Sequence, residues 1–451
     1  MATVKTAFKA AAVNPLKMSS TLGASYAFLG MNRCMPVMHG SQGCTSFGLV
    51  LLVRHFREAI PLQTTAMNEV ASILGGMDNV EKAILNIRAR TKPDMIGICS
   101  TGLTETKGDD VASYLKLIRQ RHPDLEDTAI VYASTPDYVG AFQDGWATAV
   151  LAMIRELATP SGIQDPKQVT LLAGCHLTPA DIEELRDIIE SFGLKAIVVP
   201  DVSGSLDGHM SDQFSPTTMG GTTLAEMRSM GASVATIAVG EQMRECAVAL
   251  EEITGVPYTL FDRLTGLEPN DRFLSYLSKL SGQQVPAKSR RLRSQLQDAM
   301  LDGHFFFGGK KVAIGAEPDL LLALGAWLTE MGCEIQSAVT TTQSAGLAQL
   351  DVAEVLIGDL EDLEHGAAGC DLLVTHSHGR QAAARLKIPF HRAGLPLFDR
   401  LGAGHQLSVG YRGTRRLIFD IGNLFLADEH HVTPDTWQLP EASLQAVAQA
   451  Q

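Results

Sequence analysis

Short apolar, β-branched runs alternate along this chain with segments whose apolar residues recur at helical spacing. Residues 93–99, Pro-Asp-Met-Ile-Gly-Ile-Cys, have the pattern of a buried strand and lead into the loop Ser100-Thr101-Gly102. Residues 128–133 form a second such run, ending in Ser134-Thr135-Pro136-Asp137. A new unit opens at 168–173. Its loop, Gly174 to Pro179, predicts a helix with Thr178 as N-cap and Pro179 at the first helical position. Ile182, Leu185, Ile188 and Ile189 share one face of that helix, Gly193 stops it, and residues 195–199 are the next strand. The same design returns at 311–314, with a turn through Gly315 and Asp319 and a helix from Leu320 to Met331 closed by Gly332. Two further short strands are expected at 355–358 and 372–375.

Strands alternating with helices at this spacing imply parallel sheets joined by right-handed crossovers. The fold class is therefore α/β, with three Rossmann-like doubly wound domains expected at 1–162, 163–290 and 291–451. The seams are placed where Gly, Pro and Ser gather at 158–162 and where polar and basic residues follow Val285-Pro286 at 283–291. Ligands in such sheets bind at the carboxyl ends of strands. Here those loops lie around Gly102, Asp137, Cys175, Asp201 and His376. None carries a Gly-x-Gly-x-x-Gly that opens a helix, and Gly308-Gly309-Lys310-Lys311 precedes its strand, so nucleotide binding is rejected at both kinds of place.

Composition narrows the classes. A chain of 451 residues with 45% hydrophobic content can build several cores. Its 37 basic and 50 acidic residues leave a formal charge of −13, which disfavours nucleic-acid binding. No apolar run approaches the ~18 residues of a membrane span. The first residues lack the apolar core of a secretion signal. The expectation is a cytoplasmic protein with neither nucleic-acid nor membrane partners.

The seven cysteines are scattered and form no Cys-x-x-Cys pair, which argues against both a disulfide framework and a self-contained zinc or ferredoxin-type site. Cys99, Cys175, Cys246, Cys333 and Cys370 are expected to be buried small hydrophobes. Cys44 is different. It ends His39-Gly40-Ser41-Gln42-Gly43-Cys44, a loop of small residues in which a thiolate suits an iron–sulfur cluster. One thiolate cannot hold a cluster, so other ligands would have to come from elsewhere in this chain or from another one. Ten residues on, Arg54-His55-Phe56-Arg57-Glu58 is either a charged helical face or an offset for cluster charge. His376 and His378 suit a metal or a capping role, and the lack of a cysteine or carboxylate at ligand spacing favours capping. His430-His431 beside Asp428 and Glu429 is expected to be a solvated patch.

The segment from Leu22 to Gly145 closely resembles the first domain of the nitrogenase β-type proteins. The motifs that carry the resemblance are Leu22-Gly23-Ala24, Met35-Pro36, His39 to Cys44, Arg54 to Glu58, Lys92 to Ile96, Gly108-Asp109-Asp110 and Thr135-Pro136. It continues through Pro200-Asp201, Ser205 to His209, Gly220 to Thr223, Ser377 to Arg380 and 388–401, and so covers most of the chain. The resemblance implies a three-domain fold like the β subunit of the molybdenum–iron protein.

Within that family the departures matter. The catalytic β subunit gives three cysteines to an eight-iron cluster, and aligned positions here hold Ser19, Cys44 and Gly102. The serine that follows Thr-Pro in the catalytic subunit matches Asp137. Cys99 is not expected to substitute for the missing ligand. With one thiolate kept, the resemblance points to the cofactor-assembly scaffold branch, which residues 62–67 also resemble. It implies a [4Fe-4S] cluster at an interface with the α-type scaffold subunit NifE, ligated here by Cys44 alone. Gly43, Ser41, His39, Arg54 and Asp137 would surround it.

The same resemblance implies a 2 + 2 heterotetramer with NifE and an iron-molybdenum cofactor precursor supplied by NifB and held mainly on NifE. It also implies service by the nitrogenase Fe protein, with electrons relayed through the interface cluster, and delivery of finished cofactor to the apo molybdenum–iron protein. No catalytic residue and no independent turnover are expected of this chain. A catalytic nitrogenase β subunit and a dark-operative protochlorophyllide reductase-type subunit are the alternatives.

Overall fold

The computed structural model describes residues 2–9, 11–210 and 212–429. Among these, fourteen strands form three wholly parallel sheets. The first strand, β1 (Thr3–Thr6), leaves at once for the last sheet. Next come β2 (Cys34–His39), β3 (Gln63–Thr64), β4 (Met95–Ser100) and β5 (Ala129–Ala133), in the order β3-β2-β4-β5. The second sheet repeats that order as β7-β6-β8-β9, from β6 (Gln168–Ala173), β7 (Lys195–Val199), β8 (Ala235–Val239) and β9 (Tyr258–Phe261). The third uses β10 (Lys311–Ala316), β11 (Glu334–Thr340), β12 (Glu354–Ile357), β13 (Leu372–Thr375) and β14 (Phe390–Arg392) in the order β1-β12-β11-β10-β13-β14.

The central strands β2, β4, β6, β8 and β13 are buried at every position, as continuous apolar runs in covered parallel sheets should be. The helix expected after Thr178 runs Pro179–Glu190. Thr178 caps it by accepting from the Asp181 N–H at 3.0 Å, and Gly193 follows at φ +72°. The helix Pro318–Glu330 likewise ends before Gly332, at φ +93°.

The first strand departs from the unit that sequence places at 1–162: Thr3–Thr6 pairs in register with Glu354–Ile357 of the third sheet. The carboxyl-terminal segment also reaches across a seam, because Asp181 of the second unit accepts the Ser408 and Val409 N–H groups at 2.6 and 3.1 Å. Both ends of the described chain thus bind elements remote in sequence. His430-His431 lies outside the described residues.

Two helices set the geometry of the first sheet's upper edge. Ser20–Leu29 is buried along its whole length and crosses Phe142–Leu157 at backbone contact. A Cβ on Gly23 would strike the Phe142 carbonyl, and one on Gly145 the Ser20 carbonyl, so both positions must be glycine. This close crossing brings Ser19 against the Thr135–Asp137 turn.

Candidate iron–sulfur ligand site

The carboxyl ends of β2, β4 and β5 lie side by side, and each continues into a segment singled out by sequence: Gly40 to Cys44, Thr101-Gly102 and Ser134 to Asp137. The order β3-β2-β4-β5 reverses direction between β2 and β4, so this edge is the crevice where open α/β sheets place ligands. Cys44 stands on the first turn of the helix Gln42–Phe56, three residues after the N-cap Ser41. Of the seven cysteines it alone is exposed. The Ser41 hydroxyl makes no cap bond to the helix and instead lies 3.6 Å from the Cys44 sulfur. First-turn N–H groups lack intrahelical acceptors and carry the positive end of the helix dipole, which suits an anionic group outside.

The two loop glycines have different reasons. A Cβ on Gly40 would collide with the Thr101 side chain, whose hydroxyl donates to the His39 carbonyl at 2.9 Å. Gly40 is therefore required by the chain's own packing. A Cβ on Gly43 would meet only the Ser41 hydroxyl, at 3.9 Å. Nothing among the described residues demands that Gly43 be small.

Ser19, Gly102 and Asp137 come together. The Ser19 hydroxyl donates to one carboxylate oxygen of Asp137, and the Gly102 N–H donates to the other at 3.4 Å. A Cβ on Gly102 would sit 3.5 Å from Asp137 Cβ and 3.7 Å from its Oδ2, in ordinary van der Waals contact with that side chain.

Two residues expected around the sulfur are committed elsewhere. His39 is fully buried, with Nδ1 bonded to the Thr65 hydroxyl at 2.9 Å and Nε2 facing Asp109 at 3.4 Å, and burial lowers its pKa. Its carbonyl gathers the Thr101 and Thr104 hydroxyls, so it braces the sheet edge from below. Arg54 lies ten residues along the helix from Cys44, roughly 15 Å at the α-helical rise. Its guanidinium stacks over Phe398, 4.4 Å from the ring centroid. Arg57 donates to the Phe398 carbonyl at 2.9 Å, and His55 accepts the Leu397 N–H at 2.9 Å. This motif clamps the third unit to the first, a role invisible in sequence because Phe398 is more than three hundred residues away.

The other thiols are poor ligands. Burial pushes Cys99, Cys246 and Cys333 up to about 12 and Cys370 up to about 11, and raises Cys34 further. Cys99 is turned inward against Ser25 and the Thr21 and Val37 carbonyls. Cys175, expected in the core, is only partly buried and lines a cavity. His376 caps a short turn, its Nδ1 accepting the His378 N–H at 3.4 Å and its Nε2 meeting the Leu16 carbonyl at 3.1 Å, which is the capping role.

Comparison with known proteins decides the family. The family model described as nitrogenase component 1 type oxidoreductase matches residues 19–426. The chain belongs to the nitrogenase component 1 family. It is 59% identical to the nitrogenase iron-molybdenum cofactor biosynthesis protein NifN of Bradyrhizobium diazoefficiens, over 97% of this chain and 95% of that one. It is 52% identical to the NifN of a Nostoc species, over 95% and 96%. A solved structure of nitrogenase Cp1 at pH 6.5 superposes with a TM-score of 0.90 at 32% identity, covering 97% of this chain and 98% of that one.

This component 1 chain brings a single accessible thiol to the edge. No group of three or more His, Cys, Asp or Glu among the described residues is placed to hold a metal ion. The donor set therefore fits a cluster only if another chain supplies the remaining thiolates. The surface around Cys44 suits such a partner: Phe47, Val50 and Val53 follow it along the helix at 73%, 52% and 37% exposure. Exposed apolar area of this kind marks an interaction face. No helix among the described residues is long and apolar enough to cross a membrane.

Proposed function

We propose that this chain is the β-type scaffold subunit in biosynthesis of the nitrogenase iron-molybdenum cofactor, working in a 2 + 2 complex with NifE. The observation that carries the reading is the contact among Ser19, Gly102 and Asp137. Two positions at which a catalytic β subunit offers thiolates hold a hydroxyl and a bare backbone, both tied to one carboxylate. That leaves Cys44 as the one thiolate this chain can offer a [4Fe-4S] cluster shared with NifE. Ser41 lies beside the sulfur, and Gly43, whose Cβ would meet only the Ser41 hydroxyl, keeps the preceding position small, which suits a bulky inorganic group.

Such a cluster, when bound, supplies one-electron transfer, with the Fe protein as donor. This chain's part is to present Cys44, exclude water with the apolar face of its helix, and position the partner. The cofactor precursor, delivered by NifB, is assigned mainly to NifE. The finished cofactor passes to the apo molybdenum–iron protein. Relatives named as NifN at more than half identity support this assignment.

The test is to purify the chain with NifE and measure iron and acetylene reduction with Fe protein and reductant. The scaffold reading expects about four irons per interface, after subtraction of any precursor, and negligible turnover. About eight irons with robust turnover would identify a catalytic subunit instead.

A further inference from the structure

The serine that opens the Cys44 helix does not cap it. Ser41 has the extended backbone of an N-cap, yet its hydroxyl makes no bond to a first-turn N–H. Serine is among the best residues for that bond, so its omission leaves the hydroxyl free for other use. It faces the Cys44 sulfur, 3.6 Å away. A thiolate has no proton to give, so with Cys44 bound to a metal the hydroxyl is the donor of this pair.

The backbone ahead of the serine is held from two sides. The Gly40 N–H donates to the Thr65 hydroxyl at 3.1 Å, and the Gly40 carbonyl accepts the Met67 N–H at 2.9 Å. The Thr64 hydroxyl adds a longer bond to the same carbonyl, at 3.4 Å. Residues 64–67 therefore grip both backbone groups of Gly40, while Thr101 closes the place a Cβ would take. To reach both groups the segment turns at Ala66, whose φ of +50° is left-handed. A residue with a Cβ rarely adopts that conformation, and it persists only where the surroundings impose it. Thr65 and Met67 are buried, and the Thr65 hydroxyl also meets His39 Nδ1 at 2.9 Å, which anchors the grip to the sheet edge. With Gly40 fixed in this way, the chain enters Ser41 in one direction.

A hydrogen bond to a ligand sulfur draws charge off the metal–sulfur bond, and such bonds help to set the potential of iron–sulfur clusters. The sign follows from charge. A reduced cluster carries one more negative charge, so a donor binds its sulfur more strongly than in the oxidised state. The bond favours reduction and raises the potential.

We propose that Ser41 raises the reduction potential of the cluster at Cys44 by donating a hydrogen bond to its sulfur, and that Thr65, Ala66 and Met67 are positioning residues that hold the serine in place. The inference rests on the cluster reading above and gives a role to residues that do not ligate.

Redox titration of the complex with NifE, followed by electron paramagnetic resonance, tests it. In Ser41→Ala the iron content should match the parent, and the potential should fall. At the parent's midpoint the ratio of reduced to oxidised cluster should drop by about threefold to tenfold. Ser41→Thr keeps the hydroxyl and should hold the parent value. Thr65→Val should lower the potential as well, with Thr65→Ser as its rescue. Ser41 makes no cap bond, so unchanged thermal melting of Ser41→Ala is expected and verifies the fold. A normal cluster signal with an unmoved potential in Ser41→Ala overturns the proposal and leaves the cluster reading standing. A shift in Ser41→Ala with none in Thr65→Val overturns the positioning role. A parent complex without a cluster signal overturns the cluster reading, and this inference with it.

Discussion

The Ser19 hydroxyl donates to the carboxylate of Asp137, and that same carboxylate takes the Gly102 N–H on its other oxygen. Replacing Asp137 by alanine removes the acceptor from both donors, and from the Thr21 hydroxyl at 3.3 Å, at a partly buried place. The expected cost is about 1–3 kcal/mol of unfolding free energy in urea, with the iron content of the complex unchanged. Loss of iron in Asp137→Ala would instead give the carboxylate a place among the ligands.

Arg54 stacks on Phe398 and so belongs to the clamp between the first and third domains. Arg54→Ala should reduce stability by about 0.5–1 kcal/mol and leave the reduction potential of a bound cluster where it was. A potential displaced by the substitution would return Arg54 to the cluster's surroundings.

Gly40 and Gly43 should respond oppositely to alanine. Gly40→Ala drives a methyl group into Thr101 and breaks its bond to His39, so a loss of about 1–3 kcal/mol is expected in a denaturation curve. Gly43→Ala meets only the Ser41 hydroxyl, at an ordinary 3.9 Å, and should melt like the parent chain. Its defect should be seen in recovery of the complex with NifE, and full recovery would show that nothing outside the chain needs the glycine.

His55 makes stability depend on pH. Its folded pKa is lowered by burial from 6.5 to about 3, so below pH 6.5 the unfolded chain takes up a proton that the folded chain refuses. Stability is then lost as pH falls from 6.5 towards 3, at up to about 1.4 kcal/mol per pH unit for this site. Asparagine at position 55 retains an acceptor for the Leu397 N–H without the titration. The difference between parent and His55→Asn unfolding free energies should therefore shrink on acidification. A constant difference between pH 7 and pH 5 would contradict this.

Much of the fold was legible because each buried parallel strand is an apolar run followed by turn residues. Gln168–Ala173 and Leu372–Thr375 were bounded correctly, and Thr178 caps its helix as its type and position suggest. β1 was not legible. Thr3–Thr6 is largely exposed, has no apolar alternation, and owes its conformation to pairing with a strand 350 residues away. The same distance hid the Phe398 clamp and the chamber at Cys175, since tertiary contacts rather than local pattern create both. At the ligand site, Cys44 was readable as a lone thiol in a small-residue loop. That Asp137 joins Ser19 to Gly102 emerged only once β4 and β5 were placed side by side.

The central claim is that Cys44 is this chain's one thiolate to a cluster shared across the interface. Electron paramagnetic resonance of the reduced complex with NifE, before and after Cys44→Ala, tests it most directly. The account predicts a [4Fe-4S] signal in the parent complex, lost or strongly diminished in the variant while NifE still co-purifies. An undiminished signal in the variant complex would contradict it.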